Sequence, residues 1–143
     1  MTWCVGNSRA LPFHDASLDV VLNIFCRPHE AETQRVLRDD GVLVLVGPGP
    51  RHLTELREVL YEQLIVDDSH RLANALNKGF VLANTETLQY TFTMQQPTIA
   101  QLARMTPHYW RAPQAGRQRI EAIETLTVQA EFVLQELRKE TRH

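Results

Sequence analysis

The sequence has few of the features that mark secreted, membrane-spanning or zinc-binding proteins. Only two cysteines occur among its 143 residues, Cys4 and Cys26, and both stand in apolar stretches. We interpret them as buried free thiols in a reducing compartment. No apolar run reaches the roughly 18 residues of a membrane span, and we expect no signal peptide. No CxxC or HExxH spacing occurs, so no zinc site is predicted within these residues. These absences favour a cytoplasmic protein.

Positive and negative side chains are nearly balanced in number. The formal net charge is -2 at pH 7, whereas dedicated nucleic-acid binders commonly have a basic face and a high isoelectric point. This balance gives no general signature of nucleic-acid binding but leaves room for a local basic patch. A length of 143 residues and a hydrophobic content of 43% fit a single domain over residues 1–143.

Two short apolar runs, Leu18–Phe25 and Val42–Val46, are rich in Val, Leu and Ile and show almost no alternation. This pattern is typical of parallel strands that are buried on both faces. The segment between them predicts a helix around Glu30–Arg38, with Pro28 in its first turn and Gly41 just past its end. The unit is therefore strand–helix–strand with a right-handed crossover. We expect a ligand beyond the carboxyl ends of its strands.

Weaker patterns predict the other elements. In chain order these are a strand at Thr2–Val5, a helix over Arg51–Val66, a helical turn region or loop at Arg71–Lys78, a strand over Leu88–Met94, a helix from Thr98 to about Met105, an aromatic loop at Met105–Arg111, a helix over Gln114–Ala122 and a strand over Leu126–Leu134. Thr98 and Gln101 have the spacing of a capping box. Parallel-type strands come first and alternating strands last. This order predicts an α/β fold, the second half of a doubly wound sheet that is mostly parallel with an antiparallel last strand.

Several stretches resemble a known protein family. Leu11-Pro-Phe-x-Asp-x-Ser-x-Asp-x-Val21, followed by Arg35-Val-Leu-Arg-Asp-Asp-Gly41 and Val42–Val46, resembles the Rossmann-like methyltransferases that use S-adenosylmethionine. Pro48-Gly-Pro-Arg-His-Leu53 and Met105-Thr-Pro-x-x-Trp-Arg-Ala112 narrow the resemblance to the bacterial 23S rRNA guanine-N1-methyltransferases. It covers nearly the whole chain, and it implies S-adenosylmethionine as the cofactor and ribosomal RNA as the partner.

The sequence also departs from this family. Members begin with a four-cysteine zinc module, then a strand and a Gly-rich loop for the methionine part of the cofactor, then a strand that ends in an acidic residue for the ribose. None of these is present, and Gly47-Pro-Gly49 follows a later strand. We therefore expect a carboxyl-terminal portion of such an enzyme, lacking the first two strands and the Gly-rich loop, that is inactive alone and binds no metal.

The resemblance also implies roles for individual residues. These are Asn7 and Ser8 at the adenine of the cofactor, Asn23, Ile24 and Phe25 near the methyl group and the target base, and Arg51, His52, Tyr109, Trp110 and Arg111 at the substrate RNA. Arg51 could hold a phosphate or stack on a base, and His52 could accept the proton of a guanine ring nitrogen. Residues Tyr109 to Arg111 combine aromatic and cationic groups that can stack an unpaired base.

Each of these assignments has a structural alternative. Asn7 and Ser8 could form a polar turn, and Asn23 could bond to a neighbouring loop. Arg51 and His52 could be the solvated start of a helix. Trp110 could close the core beneath the last strand, which is the commoner fate of a lone Trp.

The resemblance implies that, without the two missing strands, the strand at Leu18–Phe25 loses its neighbour and becomes an apolar edge, and such edges recruit partners. We expect either that Thr2–Val5 pairs with this edge or that a second copy covers it in a homodimer. Two other functional hypotheses remain, namely a small-molecule methyltransferase of the same fold and a non-catalytic α/β module that self-associates. A basic groove would favour RNA as the substrate, and a closed apolar pocket would favour a small molecule.

Overall fold

The computed structural model of the protein describes residues 3–62 and 79–140. Within these ranges the elements are, in chain order, β1 (Leu18–Ile24), α1 (Glu30–Val36), β2 (Leu37–Pro48), α2 (Thr54–Leu60), β3 (Phe80–Gln95), α3 (Thr98–Met105), α4 (Pro107–Arg111), α5 (Gln114–Ala122) and β4 (Thr125–Lys139). The region predicted at Arg71–Lys78 and the end of the helix predicted over Arg51–Val66 lie outside the described residues.

The four strands form one sheet in the order β1-β2-β4-β3. β1 and β2 run parallel, with Ile24 opposite Val46. β4 runs antiparallel to β2, with Leu134 opposite Val46. The predicted α/β fold, with its parallel pair and its antiparallel last strand, is confirmed. β1 lies at an edge of the sheet, so it has a neighbour on one side only among the described strands.

The described residues divide into two compact units, each with its own core. The sheet unit comprises residues 3–48, 79–88 and 132–140, and its buried core residues are Leu37, Leu43, Leu45 and Leu137. The helical unit comprises residues 49–62 and 89–131, and its buried core residues are Leu53, Leu56, Leu60, Met94, Ile99, Ala100, Ala103, Ala112, Ile120 and Val128. In the helical unit α5 packs against both α2 and α3.

Helix α1 is shorter than predicted. It begins after His29 and ends at Val36, so Pro28 precedes the helix, and Gly41 lies within β2 instead of just past the helix end. The chain leaves the helix at Leu37, whose backbone is extended at φ -74° and ψ 138°. The Leu37 side chain is fully buried. Burying a leucine contributes about 2 kcal/mol, which exceeds the gain from one more helical hydrogen bond.

Arg35 of α1 holds the segment that precedes β1. Its guanidinium pairs with Asp15 (2.6 Å) and Glu32 (2.7 Å) and donates to the carbonyl oxygens of Phe13 (2.8 Å) and Leu11 (3.1 Å). Hydrogen bonds from Arg35 and from the Leu11 N–H lower the pKa of Glu32 to about 2. Several positions in the motifs at residues 11–21 and 35–41 therefore have a structural role in joining this segment to α1.

Two predictions about helix ends are wrong. Pro97 and not Thr98 is the N-cap of α3, and no side chain caps this end, because Thr98 already belongs to the helix. The predicted capping box with Gln101 therefore does not form. The segment predicted as an aromatic loop contains α4, because Pro107 occupies the first helical position, where its fixed φ favours a helix.

The predicted strand at Thr2–Val5 and the predicted burial of the two cysteines are also wrong. The described part of Thr2–Val5 forms no strand and does not pair with β1. Trp3 is 86% exposed, so the segment has no apolar partner to hold it extended. Cys4 and Cys26 are free, as predicted, but exposed, because Cys4 lies in this segment and Cys26 lies in the bend after β1.

None of the described helices is long and apolar enough to cross a membrane. Within residues 3–62 and 79–140, no group of three or more His, Cys, Asp or Glu side chains could hold a metal ion.

Candidate functional site

The turn that follows β2 carries Arg51 and His52, and it is built on one buried carboxylate. The Glu131 side chain of β4 is only 3% exposed. Its Oε1 accepts the backbone N–H of Arg51 (3.1 Å), and its Oε2 accepts the Nε–H of Arg51 (3.0 Å). The Gly49 N–H donates to the backbone oxygen of Glu131 (2.9 Å). Both the main chain and the side chain of Glu131 therefore hold this turn.

Gly49 is needed in the turn because the Glu131 side chain lies against it. A Cβ at residue 49 would lie 2.5 Å from Glu131 Cγ and 2.8 Å from Glu131 Cδ. A buried side chain has little room to move away from such a contact. The motif Pro48-Gly-Pro-Arg-His-Leu53 thus contains a glycine for close approach and an arginine for the ion pair.

The guanidinium of Arg51 is held in a fixed orientation. Besides its ion pair with Glu131, its Nη2 donates to Gln89 Oε1 of β3 (2.9 Å). The Arg51 side chain is still 63% exposed. A planar guanidinium that is fixed on one side and exposed on the other can bind a phosphate or stack on a base.

His52 is half-buried beside the same strand. Its Nδ1 lies 2.8 Å from the backbone oxygen of Glu131 and 3.2 Å from the Glu131 nitrogen. Burial lowers the pKa of His52 below its usual 6.5; the hydrogen bond to Glu131 opposes this shift, and the charges of Arg57 and His108 add to it. The imidazole is therefore neutral at pH 7, which is the form that can accept a proton.

Tyr109, Trp110 and Arg111 lie on α4, and Glu121 of α5 and Arg104 of α3 hold Tyr109 and Trp110 in place. Glu121 Oε1 accepts the Tyr109 hydroxyl (3.1 Å) and the Arg104 Nη2–H (2.6 Å). The Trp110 indole N–H donates to the Arg104 carbonyl (3.0 Å), and its ring meets the Tyr109 ring edge-on at 5.3 Å. Trp110 is 66% exposed, so the alternative that it closes the core is wrong.

The end of β1 carries Asn23, Ile24 and Phe25 in the sheet unit. Asn23 Oδ1 accepts a hydrogen bond from the Cys26 thiol (3.1 Å), which is the local bond that the structural alternative expected. Phe25 has a φ of 54°, although it is not glycine, and it is 51% exposed. Non-glycine residues in this region are strained and are frequent at functional sites. Leu53, which follows the turn after β2, has a φ of 52°.

Asn7 and Ser8 form a short exposed turn, also in the sheet unit. The Ala10 N–H donates to the Asn7 carbonyl (2.9 Å), and Asn7 Oδ1 accepts the Arg9 N–H (2.9 Å). The polar turn that was the structural alternative is therefore present.

The predicted site residues thus fall into two groups. Arg51, His52 and Tyr109 to Arg111 all belong to the helical unit, where the charge of His108 on α4 influences His52. The other group, Asn7, Ser8 and residues 23–25, belongs to the sheet unit.

Sequence reasoning missed the residues that orient the site. These are Gln89, Arg104, Glu121 and Glu131. The alternation in β4 predicted Glu131 on the polar face with Thr127 and Gln129. Thr127 is exposed, but Glu131 is buried, because the turn at Gly49 covers it. Nothing in the β4 sequence signals this contact.

Solved structures similar to this chain include methyltransferases. One, a provisionally named methyltransferase from Bacillus halodurans C-125, aligns with 95% of this chain and 70% of its own, with a TM-score of 0.53 and 19% identity. A provisionally named type II methyltransferase from Anaeromyxobacter dehalogenans aligns with 96% of this chain and 71% of its own, with a TM-score of 0.54 and 17% identity. The chain therefore has the α/β fold of these methyltransferases.

Proteins related in sequence point to one kind of methyltransferase. YxjB of Bacillus subtilis (strain 168), which carries a provisional 23S rRNA (guanine-N1)-methyltransferase name, is 37% identical over 119 residues, 79% of this chain and 41% of its own length. The 23S rRNA (guanine(748)-N1)-methyltransferase of Streptomyces fradiae is 31% identical over 101 residues, 70% of this chain and 36% of its own length. No protein-family profile matches the chain. The chain is therefore similar to proteins named as 23S rRNA (guanine-N1)-methyltransferases, and it spans about two fifths of the length of these relatives.

Proposed function

We propose that this chain is the carboxyl-terminal portion of an S-adenosylmethionine-dependent enzyme that methylates N1 of a guanine in 23S rRNA. The observation that carries this proposal is its identity of 31–37% with relatives named for that reaction. The methyltransferase fold agrees with it.

The residues present do not make a complete site for S-adenosylmethionine. The sequence has no Gly-rich loop to hold the methionine part. Asn7 Oδ1, proposed at the adenine, already accepts the Arg9 N–H (2.9 Å). We therefore derive no step through the cofactor and propose that the chain alone neither binds it nor catalyses methyl transfer. Asn7 and Ser8 are proposed as the adenine contacts in a protein that supplies the rest of the cofactor site.

The proposed substrate contacts are the residues that the family resemblance implies. Arg51 presents a fixed and exposed guanidinium, which suits a phosphate or a base. His52 is proposed as the group that accepts the proton released from N1, since its lowered pKa keeps it neutral at pH 7. Trp110 and Arg111 are proposed to contact unpaired RNA. Ile24 and Phe25, with Asn23, are proposed to lie near the target base.

The substrate can be tested in the organism that encodes this chain. Deletion of the whole gene that includes this coding sequence should remove a primer-extension stop at one guanine of 23S rRNA, because methylation of N1 blocks base pairing. Re-expression of the intact gene should restore the stop, and 16S rRNA is the matched control. Identical stops in the deleted and parent strains would refute the proposed substrate.

The proposal that the chain alone does not bind S-adenosylmethionine can be tested by calorimetric titration of this cofactor into the 143-residue chain. We expect no detectable heat of binding. Saturable binding would show that this chain completes the cofactor site by itself or in a dimer, and the proposal of inactivity would then be withdrawn.

A cytoplasmic location is proposed because ribosomal RNA, the proposed substrate, is found there. A homodimer through the exposed β1 edge is proposed because Val20, Leu22 and Ile24 of that strand are each at least 55% exposed.

A further inference from the structure

Helices α4 and α5 carry an open depression of about 400 Å³ on the surface of the helical unit. Its lining residues are Tyr109, Gln114, Arg117, Gln118, Glu121 and Ala122. This volume lies within the range of roughly 300–1,000 Å³ that is usual for small-ligand sites. The lining combines an aromatic ring, two side-chain amides, a cation and a carboxylate.

The segment around this depression is basic in a chain that is acidic overall. Residues 98–122 include four arginines and a single glutamate, whereas the whole chain has a net charge of -2. Two of these arginines are engaged, since Arg104 pairs with Glu121 (2.6 Å) and Arg119 donates to the Val59 carbonyl (2.9 Å). Arg111 and Arg117 make no side-chain hydrogen bond or ion pair with any residue in 3–62 or 79–140. They are therefore the cations available to an anionic ligand.

The carboxylate in the depression does not cancel the positive charge of Arg111 and Arg117. Glu121 Oε1 accepts bonds from Arg104 (2.6 Å) and from the Tyr109 hydroxyl (3.1 Å), so its charge is neutralised locally. The same bonds fix the Tyr109 ring. Trp110, the next residue of α4, is fixed by the hydrogen bond of its indole N–H and is 66% exposed. A fixed and exposed aromatic ring is a stacking platform for a nucleobase.

We propose that this depression binds one unpaired nucleotide, with its base against Tyr109 and within reach of the amides of Gln114 and Gln118, and with its phosphate at Arg117. An adjacent base stacks on Trp110. This inference rests on the proposed function, because it supplies a contact for the flank of the RNA beside the methylated guanine. The nucleotide could come from single-stranded RNA or from a free mononucleotide, and we propose RNA because a second stacking platform adjoins the depression.

Binding can be measured with the 143-residue chain itself. Trp3→Phe leaves Trp110 as the single tryptophan, because the sequence contains only two. Unpaired RNA should quench the Trp110 emission. A fluorescein-labelled single-stranded RNA should bind at least about tenfold more tightly than the same RNA annealed to its complement, since only unpaired bases can stack. Guanosine monophosphate should bind weakly and compete poorly with the RNA.

Variants then test the assigned contacts. Arg117→Gln and Trp110→Ala should each weaken RNA binding by about fivefold or more. Arg138→Gln and Trp3→Ala, at exposed positions of the sheet unit, should leave it unchanged. Thermal melts by circular dichroism identify any variant that does not fold, and Arg117→Lys should retain most of the affinity.

Several outcomes would overturn the inference. These are equal binding of single-stranded and duplex RNA, wild-type affinity in both variants, or no binding of any RNA. If guanosine monophosphate competes efficiently with the RNA and its binding requires Arg117, the site binds a free nucleotide instead. The primer-extension experiment is independent of these results. A stop that persists in cells with the Arg117→Gln protein while RNA binding is unaffected refutes this site and leaves the proposed function intact.

Discussion

At the scale of single residues, the main feature is a carboxylate placed where a strand pattern predicts a solvated side chain. Glu131 is 2% exposed and binds both the backbone and the side chain of Arg51. A buried carboxylate is tolerated when its oxygens accept enough hydrogen bonds. This carboxylate orients Arg51, whereas His52 contacts the backbone of Glu131.

We predict that Glu131→Ala lowers the free energy of unfolding by about 1–3 kcal/mol, because it leaves the Arg51 backbone N–H without its acceptor. The ion pair adds little to this value, since the Arg51 side chain is 63% exposed and solvent screens it. Urea denaturation followed by circular dichroism measures the change. Glu136→Ala, which removes the ion pair with the exposed Arg138, is the control and should change stability by less than about 0.5 kcal/mol. Equal effects of the two substitutions would contradict the role assigned to Glu131.

The burial of His52 predicts how the stability of the protein depends on pH. Its pKa is lowered by burial below the usual 6.5, so the unfolded chain binds a proton at a pH where the folded chain does not. Its contribution to stability is therefore complete above pH 6.5 and is lost as the pH falls below that value. Thermal midpoints of the native protein should decrease in this window, and those of His52→Gln should decrease less. An NMR titration that places the His52 pKa above 6.5 would refute the prediction.

At the scale of elements, close contacts between helices fix the helical unit. A Cβ at Gly116 of α5 would clash with the carbonyl oxygen of Leu60, the last residue of α2, and would lie 2.8 Å from its carbonyl carbon. The glycine lowers the intrinsic helix propensity of α5 but permits this approach. The sequence shows Gly116 only as a weakness in a predicted helix.

We therefore predict that Gly116→Ala destabilises the protein by about 1–3 kcal/mol, despite the gain of roughly 1 kcal/mol in helix propensity. Gln118→Ala, at an exposed position of the same helix, is the control and should leave the urea midpoint nearly unchanged. A Gly116→Ala protein that is more stable than the wild type would show that α2 and α5 do not meet in this way.

At the scale of the whole molecule, the β1 edge presents exposed apolar side chains and has no described strand beside it. Val20, Leu22 and Ile24 alternate along the strand and therefore face the same side. They are 57%, 59% and 55% exposed. An uncovered edge with such side chains favours pairing with a second chain.

The corresponding prediction is a concentration-dependent dimer in sedimentation equilibrium. Leu22→Lys should shift the chain toward the monomer, because a charged side chain on an edge strand opposes pairing. Val5→Lys, at an exposed position outside any strand, should not. A wild-type chain that stays monomeric at the highest concentration reached would exclude the dimer.

Residue patterns alone predict the α/β class, the parallel pair β1 and β2, the extent of α5 and the antiparallel last strand. These follow from the period and continuity of the apolar residues, which are local properties of the chain. The motifs at Pro48 and Met105 also indicate the resemblance to the 23S rRNA (guanine-N1)-methyltransferases.

The other features depend on contacts that form when the chain folds. The burial of Glu131, the end of α1 at Val36 and the absence of a strand at Trp3–Val5 all depend on contacts between residues distant in sequence. Glu131 is buried because a turn 80 residues earlier in the chain folds over it. Helix α1 ends because Leu37 is buried in the sheet unit. Trp3–Val5 is irregular, and none of the described strands pairs with it. Residue type and spacing carry no record of such contacts, since each is set by which elements meet and not by the residues of either one alone.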